Sequence, residues 1–280
     1  MSEWFLNGEA DARIHAEDRA VQYGDGVFET IAIRDGRPRL WAYHVERLQT
    51  GCTRLGITPP AADELEEKLG SALDACSVET GSATAKLIVS AGRGPRGYRR
   101  VESPKTLLIG ISESRKLPQS MYREGVTVRL CSTRLAIQPQ LAGMKTLNRL
   151  EQVLARNEWR DDTVFEGLTL DTDGRLICGT MSNVFLLYEN RLVTPAVTRC
   201  GVSGVMRRHV LTIAHEAGLE CDVRDVDAGE LGNCDGVVLS NSQFGVLPVR
   251  ACNQIMLNSK ATANHLMTLV RDSGIREVAV

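Results

Sequence analysis

The sequence predicts an α+β protein of two domains, and three observations carry that prediction. Strand-like and helix-like segments follow one another without regular βαβ alternation. No internal repeat or low-complexity tract organises the chain. A polar stretch containing Pro118, SESRKLPQSMYRE at 112–124, divides it. The 280 residues suffice for one large domain or two of ordinary size. The expected division is a smaller α+β domain over 1–115 and a larger one over 116–280 that carries Lys145.

Each element has a local reason. Glu29–Arg34 (ETIAIR) has strand character and stops at the Asp35-Gly36 turn. Trp41, Val45, Leu48, Cys52 and Leu55 recur every three or four residues, a helix stripe that Gly56 ends. Residues 61–76 read as a second helix, and Thr84–Ser90 and Lys105–Ile111 as strands. The second half opens on a strand, Val126–Cys131. An amphipathic helix follows Lys145, with Leu147, Leu150, Val153 and Leu154 expected inward and Arg149, Glu151, Arg156 and Glu158 outward. Short strands are expected around 168–170, 176–177 and 183–187, and a glycine-bracketed helix between Gly201 and Gly218. Strands at 236–240 and 246–250 and a helix near 259–273 close the chain.

Composition narrows the functional classes. Hydrophobic content of 43% and charged content of 24% are ordinary for a soluble globular protein. A net charge of −2 gives no reason to expect nucleic acid or a membrane surface as partner. No apolar run has the length of a membrane span, and the start MSEWFLNGEADARIH lacks the basic and apolar regions of a signal peptide, so a cytoplasmic protein is expected. The eight cysteines form no CxxC pair and the five histidines no metal-binding spacing, so no metal is expected and the histidines read as structural or surface residues.

Three motifs invite chemistry. Gly92-Arg-Gly-Pro-Arg-Gly97 matches GxGxxG, but Pro95 sits inside it and no helix pattern follows, so a loop carrying Arg93, Arg96 and Tyr98 is the better reading. Such a loop either holds an anionic substrate or is simply solvated. Gly201-Val-Ser-Gly204 ahead of a helix is either a phosphate cradle of backbone N–H groups or an ordinary glycine-rich turn. Lys145 lies in LAGMKTLNRLEQVLARNEW, just past a glycine and ahead of a helix. A lone lysine there is usually exposed. A helix N-terminus and desolvation also disfavour its charge, which suits a Schiff-base lysine.

Read together, DRAVQYGDGVFETI (18–31), HVERL (44–48), the lysine segment, GTMSNVFLL (179–187), TPAVTRCGVSGVMR (194–207) and SNSQFGVLPV (240–249) resemble the fold-type IV pyridoxal-phosphate enzymes. That group includes D-amino-acid and branched-chain aminotransferases. AGMKTLNRLEQVL, QYGDGVFET and RLQTGCTRLGI look most like the aminodeoxychorismate lyases of folate synthesis. The resemblance spans about residues 5–250. It implies a two-domain, D-amino-acid-aminotransferase-like fold with pyridoxal 5′-phosphate between the domains, and a homodimer. The implied activity is a carbon–oxygen lyase that turns 4-amino-4-deoxychorismate into 4-aminobenzoate and pyruvate. By the same resemblance Lys145 joins the cofactor and moves protons. Arg47, the backbone of Val205 and Met206, and Ser242 hold the phosphate. Val202 backs the ring, and Thr30, Arg96 and Tyr98 meet the substrate. Leu150 stands where some aminotransferase relatives place a tyrosine.

One departure is visible. Relatives usually carry Glu-Gly where this chain has Cys178-Gly179. The resemblance places that residue at the pyridine nitrogen, and a thiol is a poor substitute because it is mostly neutral at its ordinary pKa of about 8.5. Either Cys178 is a small buried residue with no such duty, or the ring is a weaker electron sink that disfavours transamination relative to elimination. An aminotransferase on the same scaffold, a non-catalytic cofactor-binding protein and a cofactor-free lysine aldolase are the alternatives.

Overall fold

The computed structural model describes residues 2–10, 13–78, 81–101, 104–257 and 259–278. The chain forms two compact units. One comprises Met1–Arg115 together with Met144–Asn148, the other Lys116–Gly143 together with Arg149–Val280. The segment bearing Lys145 therefore packs with the first unit, although the chain on either side of it belongs to the second.

In the first unit, strands β1 (Glu3–Leu6) and β2 (Glu9–Ala10) precede a short helix α1 (Arg19–Tyr23). Then come β3 (Gly26–Arg34), β4 (Arg37–Pro38), α2 (Trp41–Leu55), α3 (Ala62–Ala75), β5 (Ala83–Ser90) and β6 (Thr106–Glu113). The strands form one antiparallel sheet in the order β2-β1-β6-β5-β3-β4. Alternation on β3 turns Val27, Glu29, Ile31 and Ile33 to the buried side. The apolar members join Leu48 and Cys52 of α2, Leu65 and Leu69 of α3, and Leu87 and Ile109 of the sheet in one core. Gly56 ends α2 in the left-handed region at φ 68°, and its N–H caps Cys52 and Thr53 carbonyls. The lysine segment lies beside β3: Phe28 N–H donates to Lys145 O at 2.9 Å and Leu147 N–H to Gly26 O at 3.0 Å. Val27 and Thr146 face each other across that bridge.

The second unit contains α4 (Gln119–Glu124), β7 (Val126–Leu135), α5 (Leu150–Arg156), β8 (Val164–Asp171), β9 (Arg175–Gly179), β10 (Asn183–Tyr188) and β11 (Arg191–Pro195). It continues with α6 (Val205–Glu216), β12 (Glu220–Arg224), β13 (Val226–Asp227), β14 (Gly236–Asn241), β15 (Gly245–Cys252), β16 (Ile255–Met256) and α7 (Ser259–Asp272). The sheet is mixed, ordered β12-β11-β10-β14-β15-β7-β8-β9-β13, with β16 on β15. Near-continuous apolar runs such as NVFLL in β10 and GVLPV in β15 are buried on both faces. Helix α7 packs on β14 and β15, and α6 on β12 and β14.

The helix after Lys145 departs from its pattern. It starts only at Leu150, and Leu150, Val153 and Leu154 are 78%, 51% and 61% exposed rather than inward. Its polar residues are the ones tied to the unit. Glu151 accepts from Ala136 N–H at 2.7 Å, and Glu158 from Ser132 and Thr133 N–H at 2.8 and 2.7 Å. Arg149 is half-buried, and burial lowers its pKa. Periodicity located the stripe, but these carboxylates found backbone donors on β7 and just after it and turned the opposite face inward.

Candidate active site

In the first unit, Glu29 places a carboxylate on the buried face of β3, 1% exposed. The next helix supplies its partners one turn apart. His44 Nδ1 stands 2.6 Å from Oε2, and Arg47 Nε donates to Oε1 at 2.7 Å while Nη2 reaches Oε2. Burial pushes the Glu29 carboxyl up, but the Arg47 charge and the bonds from His44 and Arg47 outweigh it and hold the group at about 2. Burial pushes His44 down, Glu29 opposing, and the charges of Arg47 and Lys145 push the same way as burial. His44 is thus neutral with its Nδ1 proton toward the carboxylate, and its Nε2 is buried without a hydrogen-bond partner. Lys145 Nζ lies 4.3 Å from the Phe28 ring centroid, and Lys86 Nζ 5.0 Å from the same ring. The charges of Arg47 and Lys145 thus both reach His44 beside β3. Thr30 is half-buried on the same strand. Arg96 and Tyr98 stand on the exposed loop after β5, Tyr98 being 87% exposed.

In the second unit, Val202 lies in the turn before α6. Gly143 N–H donates to Gly201 O and Ser203 N–H to Gly143 O, both at 3.0 Å, and Asn183 Nδ2 donates to Val202 O at 2.9 Å. Helix α6 begins at Val205 with Gly204 as N-cap and no side chain capping it, and Val205 and Met206 are buried. Its first N–H groups are donors that the helix itself does not satisfy. Ser242 is half-buried in the turn between β14 and β15.

Cys178 is 6% exposed on β9 among Leu135, Ile177 and Cys200. Burial pushes its thiol up to about 11, and its neighbour at 3.7 Å is Thr169 Oγ1. Glu166, fully buried on β8, binds the turn that follows β9. It accepts from Gly167, Thr180 and Met181 N–H at 2.9, 3.1 and 3.1 Å, and from Thr180 and Ser182 hydroxyls at 2.6 and 2.8 Å. Burial raises its pKa against the pull of those donors. Gly179 lets this happen, because a Cβ there would lie 2.3 Å from Ser182 Oγ and 2.6 Å from Glu166 Oε2.

Glu29 and His44 were not singled out by motif. The available signals were parity and spacing: an acidic residue at an inward strand position, and His44 and Arg47 one helical turn apart.

An α+β chain of two sheets, with a lysine segment bridged to β3 and a glycine-led helix start, defines a class. The chain belongs to the amino-transferase class IV family, whose model matches residues 26–252. Among curated relatives, an aminodeoxychorismate lyase from Vibrio harveyi is 36% identical over 88% of this chain and 90% of its own. The crystal structure of 4-amino-4-deoxychorismate lyase from Pseudomonas aeruginosa is 41% identical, covers 97% of this chain and 99% of that one, and has a TM-score of 0.90. The branched-chain amino acid aminotransferase from Escherichia coli shares the fold at 23% identity and TM-score 0.82, covering 96% and 92%. Among the described residues, no helix is long and apolar enough to cross a membrane.

Proposed function

We propose that this protein is a pyridoxal-phosphate lyase that converts 4-amino-4-deoxychorismate into 4-aminobenzoate and pyruvate. The observation that carries the reading is Lys145 held to β3 by the Phe28 N–H, with its charge and that of Arg47 both acting on His44. Likeness to two lyases over nearly the whole chain supports the choice of reaction.

The residues fit a phosphorylated aldehyde. His44 Nε2 is an orphaned buried polar atom near two cations, and the α6 start offers backbone donors without a side-chain cap. In the first unit Arg47, braced by Glu29, would take phosphate and Lys145 would join the aldehyde carbon. In the second unit the Val205 and Met206 N–H groups and the Ser242 hydroxyl suit phosphate, and Val202 suits the ring. Cys178, a neutral thiol in an apolar pocket, is no strong partner for a ring nitrogen. When bound, pyridoxal phosphate supplies a carbonyl for the substrate amine and a sink for electrons released from carbon.

The chain's own part is binding and proton transfer. Lys145 would take the proton from the ring carbon that bears nitrogen. The C–O bond to the enolpyruvyl group breaks, that group leaves and is protonated to pyruvate, and the ring becomes aromatic. Thr30, Arg96 and Tyr98 would orient the substrate. Aromatisation supplies the driving force, so a modest electron sink suffices.

Two further features belong to this reading. The exposed Leu150, Val153 and Leu154 face suits burial against a second copy, so a homodimer is proposed. All eight cysteines are free, which suits a reducing compartment such as the cytoplasm.

A D-alanine aminotransferase from Bacillus licheniformis, 26% identical over 98% of this chain, keeps the aminotransferase reading as the second one. The test is to incubate the cofactor-loaded protein with 4-amino-4-deoxychorismate. Release of 4-aminobenzoate supports the lyase. Amino transfer to pyruvate or 2-oxoglutarate without that release supports the alternative.

A further inference from the structure

The loop after β5 is held by a buried ionic clasp. Arg19, 5% exposed, sends Nε to Asp25 Oδ2 at 2.7 Å, Nη1 to Gly97 O at 3.0 Å and Nη2 to Tyr98 O at 3.1 Å. Its guanidinium lies 4.8 Å from the Tyr23 ring centroid. Tyr23 Oη accepts from Gly97 N–H at 3.1 Å, and its ring stands 5.5 Å from that of Tyr98. Asp25 also takes Arg100, whose Nε donates to Oδ2 at 2.8 Å and whose Nη2 reaches Oδ1, while Nη1 binds Leu55 O. The anchors from α1 and its exit thus grip backbone at 97–98 and the side chain at 100.

This grip is specific in chemistry. A guanidinium fork reaches two successive carbonyls and a carboxylate at once, which a lysine cannot do. The two arginines hold Asp25 below the usual carboxylate range against its burial, so the clasp stays charged at neutral pH. Gly97 at φ 116° turns the chain so that its carbonyl and that of Tyr98 both reach the fork. Meanwhile Arg96, Tyr98 and Arg99 point to solvent. A connection between β5 and β6 alone gains little from a buried arginine clasp. The clasp fixes what the loop presents: two guanidiniums and a phenol.

We propose that Arg19 and Asp25 are positioning residues for substrate recognition, holding the 92–100 loop so that Arg96, Tyr98 and Arg99 receive a carboxylate-bearing substrate. The identity of that substrate rests on the proposed function; the clasp does not. Two readouts separate them. Trypsin cleavage after Arg96 and Arg99 reports the loop, and steady-state 4-aminobenzoate release by the cofactor-loaded protein reports recognition. Arg19→Ala and Arg19→Lys are both expected to speed cleavage about 10-fold and raise KM about 10-fold, with kcat within about 2-fold and the cofactor's absorbance unchanged. Tyr23→Phe, which keeps every charge, should raise KM about 2- to 3-fold and stands in if the Arg19 variants fail to fold. Unchanged cleavage overturns the clasp. Faster cleavage with an unmoved KM, or a loss confined to kcat, overturns its role in recognition. If the wild type releases no 4-aminobenzoate, the proposed function fails instead. The recognition role is then read from the Kd of 4-aminobenzoate as a carboxylate probe: weakening of about 10-fold by Arg19→Lys supports it, and no change overturns it.

Discussion

Replacing Glu29 by Gln removes the carboxylate that braces Arg47 and His44 while keeping its volume. The group titrates at about 2 in the folded chain, against an ordinary 4.5. That difference is worth roughly 3 kcal/mol, at 1.36 kcal/mol for each tenfold change. The folded value lies below the unfolded one, so the stabilisation is fully present above pH 4.5 and is lost as pH falls toward 2. Glu29→Gln should therefore lower stability by roughly 3 kcal/mol at pH 7, an amount in keeping with breaking a buried ion pair. The gap between parent and variant should shrink to less than half by about pH 3. Urea unfolding followed by circular dichroism at pH 7, 4.5 and 3 measures both quantities. Taking the difference between the two proteins cancels other carboxylates such as Glu230, which is also held at about 2. A gap that is the same at pH 7 and pH 3, or no gap at pH 7, would refute the reasoning that Glu29 is charged and paired in the native state.

Three further outcomes are expected. Cys178→Glu should strengthen the electron sink, raising amino transfer relative to elimination about 5-fold and shifting the bound cofactor's absorbance; an unchanged ratio and spectrum would show that position 178 has no electronic role. Gly179→Ala should cost about 2 kcal/mol in thermal or urea unfolding, since its Cβ would press on Ser182 Oγ and Glu166 Oε2 at 2.3 and 2.6 Å. Leu154→Arg should turn the proposed dimer into a monomer in sedimentation velocity without unfolding it, because residue 154 is 61% exposed in the single chain.

Most of the fold was legible because periodicity reports burial. The α2 stripe and its Gly56 stop matched the helix, and β3, β5, β7, β10, β14 and β15 contain the expected strands. Strands β1, β11 and β12 were not anticipated: β1 and β12 are short and partly exposed and pair with residues distant in sequence, on β6 and β11, while β11 is the hairpin partner of β10. Helix α5 failed in a different way. Its apolar stripe is plain in the sequence, but a stripe does not say what covers it, and here Glu151 and Glu158 take backbone partners on β7 and just after it. Lys145 and Arg47 stood out through motif resemblance. Glu29 did not, because a single buried carboxylate in a strand looks like any other acidic residue until α2 brings His44 and Arg47 over it. Arg19 and Asp25 were hidden for the same reason: their partners at 97–100 lie far along the chain.

The most direct test of the account is 4-aminobenzoate release from 4-amino-4-deoxychorismate by the cofactor-loaded protein, run beside Lys145→Ala. The account predicts release of 4-aminobenzoate and pyruvate in equal amounts by the parent, and a loss of at least about 1,000-fold, with loss of the yellow absorbance, in the variant. Turnover and absorbance that survive the substitution would contradict it.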